Sequence, residues 1–329
     1  MHYRSIADMN AAIVRNLHQL PRDIDLVVGI PRSGILAANL VSLTANIPMT
    51  DLDSFIAGKT FTSGITKRRP ALERKTSEMR KVLVIDDSIN GGTAMNDARA
   101  RIAAAGTAAE GLIYAAVYGS FNTHEEADFI FETVPQPRLF QWNFMHHKFL
   151  EQSCVDIDGV LCLDPTDAEN DDGPAYELFL AQARPLHGPT RKIAYLVTSR
   201  LEKYRSLTEE WLAGHGVQFD KLIMLDLPSK AERQRLAAHG KFKAEFYRTS
   251  DAVLFIESEY EQAVNIAKLS GKPVLCIETQ EMISPQWLST RLTQARTAEG
   301  RQAMLKAVAR TMLGERGYEA LKSRVRKPA

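Results

Sequence analysis

Residues Val82 to Met95 read VLVIDDSINGGTAM. The first half is an apolar run rich in β-branched side chains, the pattern of a strand covered on both faces of a parallel sheet. It delivers two adjacent carboxylates, Asp86 and Asp87, at its C-terminal end. A tight Gly91-Gly92 turn follows, then Thr93 and a helix predicted over Thr93–Ala105. Ligands of open parallel sheets bind outside the C-termini of the strands. The free backbone N–H groups of a turn and a helix start suit a phosphate dianion. The glycines let the backbone approach such a group, Thr93 adds a hydroxyl donor, and Asp86 and Asp87 are placed to accept hydrogen bonds from a sugar diol.

Outward from this stretch, short apolar runs alternate with helical patterns in two cycles, the α/β arrangement. The first cycle predicts a helix from Ser5 to Leu20, a strand at Leu26–Ile30, a helix from Gly34 to Ala45, a strand near Pro48–Asp53 and one at Leu112–Tyr118. The second predicts strands at Ser153–Ile157, Ile193–Val197, Leu222–Leu225, Val253–Ile256 and Val274–Ile277, with helices clearest at Lys203–Ala213 and Tyr260–Leu269. The chain has 329 residues. At roughly 100–200 residues per domain, two Rossmann-like parallel-sheet domains are predicted. They span 1–150, ending after the aromatic stretch FQWNFMHHKF, and 151–283, with a helical basic extension over 284–329.

Composition bounds the function. Hydrophobic residues make up 45% and charged residues 25%, a globular balance that argues against a mostly disordered chain. Forty-one Lys and Arg against 40 Asp and Glu leave a net charge of +1, which gives no global pull toward nucleic acid or acidic membranes. Three cysteines, Cys154, Cys162 and Cys276, contain no CxxC pair and read as reduced, buried thiols. No run of about 18 apolar residues appears, so no bilayer span is expected. The opening MHYRSIADMN lacks the apolar core of a secretory signal, and a cytoplasmic protein is expected.

The acidic pair, the apolar step and the short Gly/Thr turn resemble the PRPP-binding motif of the type I phosphoribosyltransferases, the orotate type above all. Asn90 stands where the turn usually opens on Thr. A second piece, VVGIPRSGILAA over Val27–Ala38, is similar to the loop that binds the pyrophosphate end of PRPP in amidophosphoribosyltransferases and purine regulators. The resemblance gives Arg32, Ser33 and Gly34 the roles of cation, hydroxyl and backbone donor. It also implies a mobile loop that closes over PRPP. The polar stretch between Phe55 and Arg80 offers Lys59 first, then Lys67, Arg68, Arg69, Arg74 and Lys75. Implied chemistry is displacement at C1 of the ribose, with Mg²⁺ bridging the ligand's own oxygens as pyrophosphate leaves. Trp142 and Phe144 are candidates to stack on a planar base, with packing at a domain interface as the alternative.

Residues 153 to 162 read SCVDIDGVLC. Two carboxylates two residues apart at the end of an apolar strand face the same way. They resemble the first motif of the haloacid-dehalogenase-like (HAD) phosphohydrolases. The resemblance makes Asp156 the nucleophile that becomes an aspartyl-phosphate and Asp158 the general acid, then base. It further assigns Thr198, with Ser199 next, to the second motif, and Lys243 to the third, ahead of Lys230 and Lys241. Glu257 falls to a fourth motif that reads Glu257-Ser258-Glu259 instead of the usual acidic pair. Asp156, Asp158 and Glu257 would hold Mg²⁺. A small cap is implied between the first two motifs, where the acidic stretch Asp164–Asp172 either selects a polar substrate group or is a solvated turn before a Pro-started helix.

Together the two resemblances imply a phosphoribosyltransferase fused to a HAD-like phosphatase, in a family that often dimerises. Comparable fusions occur in bacterial stress clusters of the tellurite-resistance type. The expected ligands are PRPP, a base-like small molecule and a phosphomonoester. A PRPP-sensing regulatory protein whose first fold gates the second is the alternative. The segment from Glu281 carries ten Lys or Arg against four Glu and reads as an amphipathic cover more than as an RNA-binding face.

Overall fold

The computed structural model describes residues 1–61, 79–106, 111–121, 125–236 and 238–285. Five of the expected loop cations (Lys67, Arg68, Arg69, Arg74 and Lys75) and nearly all of the basic extension over 284–329 lie outside the described residues. The chain divides into two compact units, Met1–Phe144 and Met145–Ala329. The division falls inside the aromatic stretch, because Phe140 and Trp142 pack into the core of the first unit.

In the first unit β1 (His2–Arg4) leads to α1 (Ile6–Asn16), then β2 (Leu26–Gly29), α2 (Ser33–Ala45), β3 (Met49–Asp51) and α3 (Leu52–Ile56). The chain continues through β4 (Lys81–Ser88), α4 (Thr93–Ala104), β5 (Gly111–Gly119), β6 (Phe129–Thr133) and β7 (Arg138–Phe140). Ser5 caps α1 in a reciprocal box with Asp8. The α-helix ends at Asn16 and a 3₁₀ turn takes over at Leu17–Gln19, so the helix is shorter than the Ser5–Leu20 pattern predicts.

Five parallel strands run in the order β3-β2-β4-β5-β6. Alternation along them sorts the core into two layers. Val27, Leu83 and Ile85 pack with Met9, Ile13 and Val41 on one face. Leu26, Val28, Val82 and Val84 pack with Leu52, Phe55 and Ile102 on the other. Each such side chain contributes about 1.5–3 kcal/mol on burial, which is why a strand apolar on both faces is stable only in the middle of this sheet. The register Gly29↔Ile85 sets the end of β2 beside Asp86. Gly34 completes the approach. A Cβ there would lie 2.8 Å from the Ile85 carbonyl oxygen and 2.9 Å from Asp86 Oδ1, so only glycine lets α2 start against the acidic strand.

The second unit opens with β8 (Ser153–Val155), α5 (Pro174–Gln182), β9 (Ile193–Leu201), α6 (Arg205–Gly214) and β10 (Phe219–Leu225). Then follow α7 (Lys230–Arg235), α8 (Ala238–Thr249), β11 (Leu254–Glu257), α9 (Tyr260–Ser270), β12 (Val274–Cys276) and β13 (Glu281–Ile283). The sheet order is β10-β9-β8-β11-β12-β13, parallel except for β13. β8 is therefore central, and the C-terminal ends of β8, β9 and β11 deliver Asp156, Thr198 and Glu257 to one edge. All three cysteines are free and buried. Among the described residues no helix is long and apolar enough to cross a membrane.

Candidate functional sites

In the first unit β4 carries Asp86 and Asp87, both buried, to the sheet edge. Asp86 Oδ1 accepts from the Asp87 backbone N–H at 2.8 Å. Burial, and after it the charge of Asp87, pushes the Asp86 carboxyl up to about 8. Asp87 is held by two neutral donors. Ser33 Oγ donates to its Oδ1 at 2.7 Å and the Trp142 indole N–H donates to its Oδ2 at 2.8 Å. Ser33 thus joins the acidic pair, while Arg32, at the N-terminal flank of α2, is exposed.

After β4 the chain turns through Ile89, Asn90, Gly91 and Gly92 into α4. Gly91 has open space where a Cβ would stand, and Gly92 takes the left-handed conformation at φ 71°. Gly92 has no side chain to cap the start of α4, and the Glu126 carboxylate stands against that glycine, so an anion arriving at the first N–H groups meets Glu126 there. Thr93 and Asn90 are exposed at this turn, and Asn90 Oδ1 accepts from Gln136 Nε2 at 2.8 Å. The buried Arg138 braces the turn from behind through the Ile89 carbonyl. Lys59 is exposed in the turn after α3.

Trp142 stacks on Phe140 with ring centroids 4.8 Å apart, and Phe140 stacks in turn on Tyr118 at 5.4 Å. One indole face is therefore taken, and Trp142 has a further task as the donor to Asp87. Phe144 is buried and presents no free face for a base.

In the second unit the buried Lys243 ammonium touches Asp156 Oδ2 at 2.6 Å, Glu257 Oε2 at 2.8 Å and Gln262 Oε1 at 3.1 Å. The two rivals stand elsewhere: Lys230 is held by the Asn170 carbonyl, and Lys241 is exposed. Thr198 is fully buried in the C-terminal half of the neighbouring strand β9. Burial, together with the charges of Glu257 and Asp158, pushes the Asp156 carboxyl well up, against the pull of Lys243.

Asp158, the expected general acid, lies beside a buried cation. Arg200, fully buried, forks onto it with Nη2 at 2.6 Å and Nε at 3.1 and 3.2 Å. Burial alone would push Asp158 up, but the guanidinium prevails and holds its carboxyl below the ordinary range.

Of the expected Mg²⁺ ligands, Asp158 pairs with Arg200, and Asp156 and Glu257 share Lys243. Asp164 and Asp158 line the same cavity as Asp156. Carboxyl groups outnumber the cations Lys243 and Arg200, an excess of hard oxygen donors. That fits a Mg²⁺ held by one or two carboxylates and a ligand phosphate.

The acidic stretch is mostly used internally. Asp171 caps the start of α5 through Gly173 and Tyr176 N–H at 2.9 Å each. Asp172 takes Lys203 at 2.9 Å and the Tyr204 hydroxyl at 3.0 Å. Asp164 is the acid of that stretch that faces, with Pro165 and Asn170, a cavity of about 300 Å³ also lined by Asp156, Thr198, Arg233 and Lys243. The expected cap is here a turn and the single helix α5.

Residues 2–143 match the family model of the phosphoribosyl transferase domain, so this part of the chain is a phosphoribosyltransferase-type domain. No curated protein matches the chain. Among solved structures it is similar to the Helicobacter pylori xanthine-guanine-hypoxanthine phosphoribosyltransferase, at 14% identity over 44% of this chain and 92% of that one, with a TM-score of 0.30. A purine phosphoribosyltransferase from Pyrococcus horikoshii is similar at 15% identity, over 43% and 92%, with a TM-score of 0.30. Leishmania donovani UMP synthase is similar at 17% identity and a TM-score of 0.25, over 43% of this chain but only 28% of that one.

Proposed function

We propose that the chain is a bifunctional enzyme of nucleotide metabolism. Its first unit transfers ribose 5-phosphate from PRPP to a base-like acceptor. Its second is a HAD-like phosphatase that cleaves a phosphomonoester through Asp156. The observation that carries the first half is the acidic pair beside an uncapped Gly-Gly-Thr helix start, inside the matched domain. Asp86 and Asp87 grip the ribose hydroxyls, and the turn grips the 5-phosphate. Arg32 meets the departing pyrophosphate, whose Mg²⁺ is carried by the ligand's own oxygens.

For the second half the carrying observation is the buried Asp156–Lys243–Glu257 cluster at the ends of adjacent strands. Asp156 attacks phosphorus and becomes the aspartyl-phosphate as the ester P–O bond breaks; Asp158 gives the leaving oxygen its proton, while Thr198 and Lys243 hold the transferring group. Asp158, left ionised beside Arg200 once that proton is given, takes the proton of the water that hydrolyses the intermediate. Asp156 and Glu257 would hold a Mg²⁺, which neutralises charge on the phosphoryl oxygens.

The two reactions compose in one order. The first leaves a 5-phosphate on its product, and the second removes such a group. With PRPP, Mg²⁺ and an accepted base, the parent protein should accumulate nucleoside and Asp156→Asn the matching 5-phosphate, as read by chromatography. If both stop at the nucleotide, the coupling fails; if PRPP is never consumed across a panel of bases, the transferase half fails.

A further inference from the structure

Beyond the residues of the proposed phosphatase step, the second cavity contains a cation with no assigned task. Arg233 on α7 is 8% exposed and Ser199 on β9 is 8% exposed. Arg233 Nη1 donates to the Ser199 carbonyl at 2.7 Å, which fixes the guanidinium against the end of β9. Yet Arg233 Nε and Ser199 Oγ, both buried, find no hydrogen-bond partner among the described residues. No carboxylate among the described residues pairs with Arg233 either, although Arg200, Lys203 and Lys243 each have one. Both side chains line the cavity. A buried guanidinium without a countercharge is expensive, and a buried hydroxyl without a partner adds to the cost. Such a pair is stable when an oxyanion completes it, since the guanidinium fork matches carboxylate and phosphate geometry.

The anion it would take is distinct from the phosphoryl under attack. Lys243 is the cation that touches Asp156, and the charges that bear most on Asp156 are those of Lys243, Glu257 and Asp158. Arg233 bears instead on Tyr176 and His239, two other residues of the cavity wall. Burial, then Arg233 and Lys243, push His239 down to about 4. Thr198 and Ser199 are successive residues of an extended strand, whose side chains diverge. Thr198 Oγ1 accepts from the Arg200 backbone N–H at 3.2 Å, whereas Ser199 Oγ has no partner among the described residues.

We propose that Arg233 and Ser199 form a second oxyanion subsite, selecting phosphomonoesters that carry another carboxylate or phosphate away from the scissile group. This deepens the phosphatase reading of the same cavity and rests on it for the word substrate, but binding tests it without turnover.

The test uses the full chain carrying Asp156→Asn and two ligand pairs, each differing in one anionic group away from the scissile phosphate. One is propane-1,3-diol bisphosphate against 3-hydroxypropyl phosphate; the other is 3-(phosphonooxy)propanoate against its amide. Calorimetry should show the charged member bound about 10- to 100-fold more tightly, the range of one charge-assisted contact. Adding Arg233→Met should collapse that ratio toward one, Arg233→Lys should keep part of it, and Ser199→Ala should narrow it. Equal affinities in the Asp156→Asn protein, or a preference that survives Arg233→Met, overturn the subsite. A ratio of one in the starting protein does so even if Arg233→Met fails to fold. Should the preference and its loss appear while the parent protein hydrolyses none of the four, the phosphatase reading falls and the subsite stands.

Discussion

Asp86 and Asp87 follow one another at the end of β4, whereas Asp156 and Asp158 stand on either side of Ile157 after β8. Both pairs close a buried parallel strand. The first is satisfied by neutral donors, namely Ser33, Trp142 and a backbone N–H. The second is gripped by two fully buried cations, Lys243 and Arg200. Neutral donors exchange readily for ligand hydroxyls, at a cost of one hydrogen bond for another. Buried cations do not exchange; they fix charge for a reaction in which charge moves. In the proposed function the same strand-end architecture would serve recognition in one unit and covalent chemistry in the other.

The largest break in this comparison comes from removing one buried cation. Lys243→Met leaves Asp156 and Glu257 buried without their shared partner, which should cost about 3–5 kcal/mol of stability in the second unit. Denaturant unfolding of the full chain reads it. The matching loss in the first unit, Ser33→Ala, should cost no more than about 1.5–3 kcal/mol, because Asp87 keeps Trp142 as a donor. Equal losses would erase the distinction between the two pairs.

Next in size is ligand affinity. Asp86→Asn with Asp87→Asn should weaken PRPP by about 1.5–3 kcal/mol for each charge-assisted bond lost, while the fold survives. Unchanged affinity by calorimetry, in a folded variant, would remove PRPP from this site.

Much of this was legible in the sequence because it is local. Val82–Asp87 reads as a buried strand ending in acid, the Gly-Gly-Thr turn follows directly, and Lys243 lies 14 residues before Glu257 on the helix ahead of its strand. What was hidden is what depends on long-range packing. Trp142 reaches Asp87 across 55 positions, and no local pattern directs an indole N–H. Arg200 sits beside the recognised hydroxyls of β9, yet its fork onto Asp158, 42 positions away, requires the sheet to be assembled. Arg233 belongs to a six-residue helix too short for a periodic signal. The three-residue strands β1 and β7 pair with each other only through the fold, so neither shows alternation. The acids of 164–172 looked free because capping and ion-pair partners such as Lys203 come from elsewhere.

The two pairs should also respond to pH with opposite signs. Asp86, raised to about 8, binds its proton more tightly folded than unfolded. Its stabilising contribution is fully present below about pH 4 and is lost as pH climbs toward 8. Asp158 is lowered, so its contribution is present above the ordinary carboxylate value and is lost as pH falls through the folded one. Thermal melts should show Asp86→Asn gaining on the parent between pH 5 and pH 8. Asp158→Asn should be destabilised at pH 7 by an amount that shrinks toward pH 3. Parallel profiles for the two variants would contradict the contrast between desolvation and ion pairing.

The smallest expected effect separates two duties of one side chain. Trp142 donates to Asp87 and stacks on Phe140, and it is also a candidate platform for a base. Trp142→Phe keeps an aromatic ring and removes the donor. One hydrogen bond to a carboxylate is then lost, and Asp87 retains Ser33. PRPP affinity should fall about tenfold, near the low end of a charge-assisted bond, with the KM for the base nearly unchanged. Trp142→Leu removes donor and ring together. If the open indole face receives the base, this variant alone should raise the base KM, by the roughly 0.5–1.5 kcal/mol of an aromatic pair. If both variants weaken PRPP alike and leave the base KM untouched, Trp142 only positions Asp87, and the acceptor is recognised elsewhere. A base KM that rises in Trp142→Phe as much as in Trp142→Leu would tie acceptor binding to the indole N–H, and so to the acidic pair itself.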